Sequence, residues 1–228
     1  MQQSGDVPDL KGRLALVTGA SRGLGFAAAL GLARAGAHII ALARTSGGLE
    51  ELDDMIHSET GTGATLVPMD VRDGEAIDRL GLTIHERWGK LDILVGNAGT
   101  LGPLSPLGHL APKDVDELVG INLIANWRLI RSCDPLLKAA PAGRAVFITT
   151  DQAQRHDPFW GGYAMTKAAL DSLALTYAAE CAGTSVSVSL FDPGIMRTAL
   201  RARAMPGEDA QTLPLPESAV ERLLTLCA

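Results

Sequence analysis

The stretch Gly12-Arg-Leu-Ala-Leu-Val-Thr-Gly-Ala-Ser-Arg-Gly-Leu-Gly25 joins a short apolar run to a glycine-rich turn. The apolar part, Gly12–Thr18, predicts a buried strand. After the turn, Phe26–Ala35 has a helix-forming composition that Gly36 ends, and a second apolar run, His38–Ala43, predicts the next strand. The order of strand, turn, helix and strand indicates a β-α-β unit.

The turn carries glycines at positions 19, 23 and 25. Glycine lets the backbone turn tightly and approach a ligand closely, and the start of a helix offers unpaired N–H groups to phosphate. We therefore expect the turn to bind the pyrophosphate of a dinucleotide. The spacing Gly-x-x-x-Gly-x-Gly differs from the Gly-x-Gly-x-x-Gly fingerprint, and the glycines alone would also suit a plain turn.

Apolar runs and helical stretches alternate along the rest of the chain. The predicted strands are Ala64–Met69, Leu91–Val95, Ala145–Thr149 and Ser185–Leu190. The predicted crossover helices are Gly74–Trp88, Lys113–Leu137 and Tyr163–Ala182. Such alternation predicts an α/β fold with a parallel sheet, and we expect residues 1–228 to form a single domain.

A tyrosine and a lysine stand one helical turn apart in the run Gly162-Tyr-Ala-Met-Thr-Lys167. Residues at this spacing share a helix face. A free tyrosine has a pKa of roughly 10, and a nearby cation favours the phenolate and lowers that value. Tyr163 and Lys167 are therefore a candidate proton-transfer pair, although the same spacing also occurs where the lysine is solvated and the ring packs in the core.

Four motifs in fixed order resemble the signatures of the short-chain dehydrogenase/reductase family. They are Thr18-Gly-Ala-Ser-Arg-Gly-Leu-Gly25, Asn97-Ala-Gly99, Asn122 and Tyr163-x-x-x-Lys167. The resemblance extends from about Gly12 to Thr198. It implies a doubly wound, Rossmann-like parallel sheet with helices on both faces and NAD(P) at the carboxyl ends of the strands. It also implies hydride exchange between nicotinamide and a carbonyl or alcohol.

The resemblance assigns catalytic roles. Tyr163 would be the general acid and base, and Lys167 would lower its pKa and bind the nicotinamide ribose. Asn122 would hold a water that links Lys167 to solvent, or would equally be a helix-distorting or buried polar residue. Thr150 stands thirteen positions before Tyr163, where the family commonly has serine, and keeps the hydroxyl. Thr149 is a weaker candidate because neighbouring strand residues point to opposite sides.

The same resemblance implies a set of cofactor contacts. They are Gly19, Ser21, Arg22, Gly23, Leu24, Gly25, Arg44, Asp70, Val71, Asn97, Ala98, Gly99, Tyr163, Lys167, Pro193, Gly194 and Thr198. The second strand ends at Arg44, where a carboxylate would normally bind the adenosine ribose. Arg44 and Arg22 could pair with a 2′-phosphate, which predicts NADP(H) in preference to NAD(H). The alternative is that both arginines are ordinary solvated surface charges.

Two residue sets bear on the substrate. An apolar set predicts an apolar or aromatic pocket, although core packing explains it nearly as well. Its members are Leu101, Leu104, Phe159 and Trp160. A basic set in the probable lid would attract an anionic substrate, although a solvated helix face is the commoner arrangement. Its members are Arg197, Arg201 and Arg203.

Composition limits the other possibilities. The 228 residues are 46% hydrophobic, and the net charge of −6 disfavours nucleic acid as a partner. The polar opening segment, Met1–Leu10, and the lack of a membrane-length apolar run predict a cytoplasmic protein without a membrane partner. Cys133, Cys181 and Cys227 are far apart, which favours free structural thiols over disulfides or metal ligands, so we expect no metal.

Three functional hypotheses follow. The first is an oxidoreductase that transfers hydride between NADP(H) and a small carbonyl or secondary alcohol. The second is a non-catalytic NADP(H)-binding regulatory protein, suggested by Thr150 and by a chain that stops without the final strand of many family members. The third is an interaction subunit that has lost the cofactor. The wide apolar arc of the Tyr163–Ala182 helix predicts a homodimer or homotetramer.

Overall fold

A computed structural model describes residues 8–228, and this part of the chain forms one six-stranded sheet. The strands are β1 (Leu14–Thr18), β2 (His38–Ala43), β3 (Thr65–Pro68), β4 (Ile93–Gly96), β5 (Gly143–Ile148) and β6 (Val186–Phe191). Their order is β3-β2-β1-β4-β5-β6, and all neighbouring pairs are parallel. The predicted doubly wound parallel sheet is confirmed, and each predicted strand overlaps an observed one.

Helices connect the strands. The α-helices of the described residues are α1 (Gly23–Arg34), α2 (Ser46–Thr60), α3 (Gly74–Trp88), α4 (Pro112–Val119), α5 (Ala125–Ala139), α6 (Gln152–Arg155), α7 (Gly161–Glu180), α8 (Ala199–Ala204) and α9 (Val220–Cys227). The predicted helix Lys113–Leu137 is wrong in one respect, because a π-helical turn at Gly120–Ile124 separates α4 from α5. The helix α2 was not predicted from the sequence, and its first turn contains Gly47 and Gly48.

The core lies in two layers, one on each face of the sheet. Ala15 and Val17 of β1 face the layer that α1, α2 and α9 cover. Leu14 and Leu16 of the same strand face the layer that α3, α5 and α7 cover. Successive strand residues point to opposite faces, so a strand buried on both sides must be apolar throughout. This explains the uninterrupted apolar runs in the sequence.

The crossover direction changes between β1 and β4, which lie side by side although they are distant in sequence. At such a switch point the connections leave in opposite directions and open a crevice at the carboxyl ends of the strands, where ligands of this fold class bind. The glycine-rich turn follows β1 directly, and the Asn97–Gly99 loop follows β4. The topology therefore brings the two motifs to one crevice.

The described residues contain no helix that is both long and apolar enough to cross a membrane. The prediction made from the opening segment also depends on residues 1–7, which lie outside the described range. The three cysteines are buried, and no disulfide joins them. Burial raises the pKa of the Cys133 thiol to about 12. No cluster of three or more metal-ligating side chains occurs within residues 8–228.

Close packing requires Gly25 at the start of α1. A Cβ atom at this position would lie 2.3 Å from the Gly19 carbonyl oxygen and 2.4 Å from Asn97 Nδ2. Both distances are well inside van der Waals contact, and the first involves backbone that cannot move independently. The absent side chain therefore lets α1 begin directly against the turn and the β4 loop.

We expect Gly25→Ala to lower the free energy of unfolding by about 1–3 kcal/mol, because overpacking forces the backbone apart. The matched control is Gly47→Ala, since a Cβ atom there meets nothing within 4 Å. In a helix that change is neutral or stabilising by up to about 1 kcal/mol. Thermal unfolding of both variants tests this packing argument, and equal melting temperatures would contradict it.

Candidate active site

Hydrogen bonds between the ends of β1 and β4 shape the glycine turn. Thr18 Oγ1 donates to the Val95 carbonyl at 3.2 Å and accepts from the backbone N–H groups of Asn97 and Ala98, each at 3.0 Å. Asn97 Nδ2 donates to the Thr18 carbonyl at 2.8 Å. The Asn97 amide nitrogen thus holds the turn, and the predicted cofactor contact of this residue falls to its other polar atoms.

Two glycines of the turn adopt left-handed backbone conformations. Gly19 and Gly23 have φ angles of 68° and 57°, in the region that favours glycine, and α1 begins at Gly23. The first turn of α1 contains no acidic residue. Backbone N–H groups and the positive end of the helix dipole are therefore available to an anion.

Two exposed arginines flank this turn. Arg22 is the N-cap residue of α1, and Arg44 follows β2. Within residues 8–228 neither has a carboxylate partner at ion-pair distance. Ser21 lies against the start of α2, because a Cβ atom on Gly48 would be 2.6 Å from the Ser21 carbonyl oxygen. The N-terminus of α2 therefore packs beside the turn that carries Arg22.

Asp70 has a partner that was not predicted. Arg72 binds its carboxylate, with Arg72 Nη2 2.6 Å from Asp70 Oδ2. The Arg72 hydrogen bonds, with a smaller contribution from Arg44, hold the pKa of Asp70 below its usual range. Val71 next to it is buried in the core layer under α3. An Asp followed two residues later by an Arg at a strand end was the available sign of this pair.

Tyr163 and Lys167 lie at the carboxyl end of β5, in the first turns of α7. Tyr163 is 8% exposed and Lys167 is 4% exposed. Lys167 Nζ donates to the Ile148 carbonyl at 2.7 Å and lies 5.9 Å from the centroid of the Tyr163 ring. The predicted same-face arrangement is confirmed, and the solvated-lysine alternative is excluded because the amine is buried.

The protonation states differ from the expectation. Burial, assisted by the negative charge of Asp192, raises the pKa of Tyr163 to about 12. Burial also lowers the pKa of Lys167 to about 8, against the opposing effects of Asp171 and Asp192. The expected lowering of the Tyr163 pKa is therefore wrong, because burial dominates. At pH 7 the tyrosine is protonated, and the lysine is still largely protonated.

Asn122 lies in the π-helical turn and is completely buried. Its Oδ1 accepts from the Thr100 N–H at 2.8 Å, and its Nδ2 donates to the Thr100 carbonyl and to Thr166 Oγ1, each at 2.9 Å. Both hydrogens of the amide nitrogen have protein acceptors, and the oxygen accepts one bond. Asn122 is thus a buried polar residue in a distorted helix, and its role in a water relay stays a prediction.

The two threonines after β5 have different surroundings. Thr150 Oγ1 accepts a long hydrogen bond from the Gln152 N–H and donates another to Asp151, at 3.4 and 3.3 Å. Such weakly engaged hydroxyls can turn toward another acceptor. Thr149 Oγ1 instead donates to Asp171 Oδ1 on α7. The opposite directions of neighbouring strand residues therefore give the two hydroxyls separate partners.

The segment after β6 reaches the glycine turn. Gly194 has a φ angle of 79°, and its N–H donates to Asp192 Oδ1 at 2.8 Å across Pro193. Thr198 caps α8 by accepting from the Arg201 N–H at 3.1 Å. Its methyl group faces the glycine turn, since a Cβ atom on Gly23 would lie 3.6 Å from Thr198 Cγ2. Thr198 thus connects the lid to the turn.

The three arginines of the basic set have different partners. Arg201 forms a two-bond ion pair with Glu208, at 2.6 and 2.7 Å. Arg197 Nη2 donates to the Gln211 carbonyl at 3.2 Å. These contacts lie within the lid segment, and only Arg203 of the three is exposed without such a partner among the described residues. Among the described residues, only Arg201 of the three has a carboxylate partner, so the anionic-substrate interpretation stays a prediction.

An apolar cluster surrounds the Tyr163 ring. Its members are Leu101, Leu104, Trp160, Tyr163, Leu200 and Ala204. Trp160 meets Tyr163 edge to face, with ring centroids 6.2 Å apart. Phe159 was predicted to belong to the same apolar set, but its side chain is 56% exposed and its φ is 72°. Leu200 and Ala204 belong to α8 and were not predicted.

Comparison with known proteins agrees with this architecture. The family model for short chain dehydrogenases matches residues 13–209. The uncharacterized oxidoreductase YciK of Escherichia coli K12 is 34% identical over 209 residues, which cover 91% of this chain and 82% of that protein. An uncharacterized NAD-dependent oxidoreductase of Mycobacterium tuberculosis is 34% identical over 197 residues, 81% of this chain and 71% of the relative.

Solved structures are equally similar. The E. coli YciK structure superposes with a TM-score of 0.95 at 32% identity, covering 100% of this chain and 94% of that one. A short chain dehydrogenase from E. coli CFT073, complexed with NADPH, gives a TM-score of 0.93 at 33% identity, with 96% and 92% coverage. The chain belongs to the short-chain dehydrogenase/reductase family. It is an oxidoreductase of that family with the family's nucleotide-binding fold.

Proposed function

We propose that the protein is an NADP(H)-dependent reductase or dehydrogenase that interconverts an apolar carbonyl compound and its secondary alcohol. The observation that carries the proposal is the buried Tyr163–Lys167 pair, which lies at the carboxyl end of β5 near Gly99 of the loop after β4. Membership in an oxidoreductase family and the retained pair disfavour the non-catalytic regulatory hypothesis.

The crevice fits a dinucleotide. Open space lies beside Gly23, where a Cβ atom would meet only Thr198 Cγ2 at 3.6 Å, whereas Gly19 and Gly25 let the turn pack against the loop after β4. The backbone N–H groups of residues 21–25 would hold the pyrophosphate, and Asp70 and Val71 would flank the adenine. The Asn97–Gly99 loop and the Pro193–Thr198 segment would enclose the nicotinamide half. When bound, the cofactor supplies hydride from C4 of its nicotinamide.

The residues of this chain supply the proton and the orientation. Because the Tyr163 pKa is raised to about 12, Tyr163 is protonated at neutral pH and can donate from Oη to the carbonyl oxygen as that oxygen gains charge. Thr150 Oγ1 donates a hydrogen bond to the same oxygen and orients it. The Lys167 ammonium stabilises the phenolate that remains. In the reverse direction the phenolate takes the proton from the alcohol.

The substrate class follows from the cluster around Tyr163. Leu101, Leu104 and Trp160 pack in one apolar cluster with the ring, together with Leu200 and Ala204 of α8. A carbonyl group can reach Tyr163 only if the attached groups replace these apolar contacts. Aliphatic or aromatic ketones and aldehydes meet this requirement without an unpaired charge in the pocket.

Arg22 and Arg44 support NADP(H) as the cofactor. Both are exposed beside the turn, and the end of β2 lacks the carboxylate that would repel a 2′-phosphate. A neighbour of 33% identity is a complex with NADPH, whereas a relative of 34% identity is named NAD-dependent. The relatives therefore do not decide between NADP(H) and NAD(H), and the cofactor proposal rests on these two arginines.

The exposed face of α7 is the proposed contact surface for a second copy of the chain. Leu170, Ala174 and Tyr177 of α7 are buried against the sheet, whereas Leu175 is 61% exposed. Trp127, on α5, is also exposed, at 43%. Large apolar side chains left in solvent on neighbouring helices are typical of an isologous interface. We therefore propose a homodimer through this face, with a tetramer as the larger assembly.

Tyr163→Phe removes the proton donor but keeps the ring in its apolar cluster. We expect kcat to fall about 10²–10⁴-fold, because general acid catalysis is lost, while the Kd for NADPH changes little. Nicotinamide absorbance with a panel of ketones and aldehydes gives the rate, and fluorescence titration gives the Kd. Unchanged turnover would exclude the proposed mechanism.

Arg44→Asp places a carboxylate where the 2′-phosphate would lie. We expect the ratio of kcat/KM for NADPH to that for NADH to fall about 10–100-fold, the value of one charge-assisted contact. Arg87→Asp, at an exposed site on α3, is the control for the change in net charge. A preference that survives in Arg44→Asp would remove Arg44 from the phosphate site.

Leu175→Glu places a charge on the exposed face of α7, and we expect it to convert the assembly to monomers in sedimentation velocity. Leu82→Glu on α3 is the matched control, because Leu82 is 64% exposed and lies on a different helix. The interface proposal fails if the unsubstituted protein is monomeric or if both variants keep its assembly state.

A further inference from the structure

Two adjacent residues at the end of β5 contact two adjacent turns of α7. The Ile148 carbonyl accepts from Lys167 Nζ at 2.7 Å, and Thr149 Oγ1 donates to Asp171 Oδ1. Lys167 and Asp171 are four residues apart on the helix, so they share a face. The strand end thus fixes a lysine and, one turn later, a carboxylate.

The buried lysine needs electrostatic support. Lys167 is 4% exposed, and transfer of an ammonium group out of water is costly unless an opposite charge compensates. Among residues 8–228 no carboxylate forms an ion pair with it at 4 Å or less. The charges that act on it are Asp171 on α7 and Asp192 after β6, with Tyr163 as the neighbouring titratable group. Asp171 has the larger effect of the two carboxylates.

We propose that Thr149 and Asp171 are a positioning pair for Lys167: Thr149 fixes the Asp171 carboxylate, and the carboxylate keeps the buried amine protonated at neutral pH. The inference deepens the proposed function and rests on it, since a protonated Lys167 is what stabilises the Tyr163 phenolate. It also gives Thr149 a role separate from that of Thr150, whose hydroxyl faces the substrate in the proposed mechanism.

A purely structural brace between β5 and α7 is the competing explanation. An asparagine at position 171 can still accept the Thr149 hydrogen bond through its amide oxygen, so Asp171→Asn preserves a brace and removes the charge. Only the positioning role requires the charge. The proton affinity of Lys167 therefore separates the two explanations.

The direct test is a ¹³C NMR pH titration of protein labelled at the lysine ε-carbons. The chain has five lysines, so the spectrum is simple: Lys11, Lys90, Lys113, Lys138 and Lys167. Lys167→Arg assigns the buried one. We expect the proton affinity of Lys167 to fall about 3-fold or more in Asp171→Asn, because a carboxylate that favours the ammonium form has been removed.

Thr149→Val is the second variant, because it removes the hydroxyl but keeps the carboxylate and the side-chain shape. We expect a smaller shift in the same direction. Asp134→Asn is the matched control. Asp134 lies on α5, accepts a hydrogen bond from Tyr177 of α7 at 2.9 Å and also pairs with Lys138. The Lys167 midpoint should not move in that variant.

An unchanged Lys167 midpoint in folded Asp171→Asn would overturn the proposal, and so would an equal shift in Asp134→Asn. If Asp171→Asn does not fold, the Thr149→Val titration decides instead: an unchanged midpoint overturns the proposal, and a lower midpoint supports it. None of these titrations requires a substrate or a cofactor.

The pH profile of NADPH-dependent ketone reduction is the functional readout. Loss of the Lys167 proton gives the alkaline limb, so Asp171→Asn should move that limb to lower pH and lose more activity at about pH 8.5 than at about pH 6. A destabilised fold would lower activity at both. Lack of Tyr163-dependent turnover in the unsubstituted protein would refute the proposed function, whereas the NMR titration would still decide the role of Asp171.

Discussion

The hydroxyl of Thr18 links the two strands between which the crevice opens. It donates to β4 and accepts from two N–H groups of the loop that follows, while the Asn97 amide returns a bond to the Thr18 carbonyl. These bonds fix the distance between the glycine turn and the Asn97–Gly99 loop. The missing side chain at Gly25 then allows α1 to start against both. The nucleotide crevice depends on this small set of contacts.

The fold was predictable because both faces of the sheet are covered. A strand buried on two sides must be apolar at every position, so β1 and β2 stand out as runs between glycine-containing turns. The helix α2 was harder, since Gly47 and Gly48 weaken its helical composition and its packing against Ser21 is a tertiary effect. The π-helical turn was not predictable either, because ordinary helix-forming residues surround it.

The candidate site was predictable as a set of positions, but its electrostatics were not. The spacing of Tyr163 and Lys167 places them on one face, whereas their pKa values depend chiefly on burial. Asp171 and the sequence-distant Asp192 act on Lys167, and Asp192 acts on Tyr163. The partner of Asp70 and the contacts of Thr149 likewise come from the folded chain. The sequence shows how far apart two residues are along a helix, but only the folded chain determines which charges are buried.

The π-helical turn at Gly120–Ile124 sets the orientation of everything that follows it in α5. One extra residue in a helical turn rotates the later side chains by about 100° relative to a regular helix. Here the irregularity lets Asn122 face inward toward Thr100 and Thr166 while Leu129 and Cys133 still pack on the sheet. A single-residue deletion in this turn would give a more regular helix with Asn122 pointing elsewhere. The π-helical turn is locally less stable than a regular helical turn, but it lets Asn122 connect the β4 loop to α7.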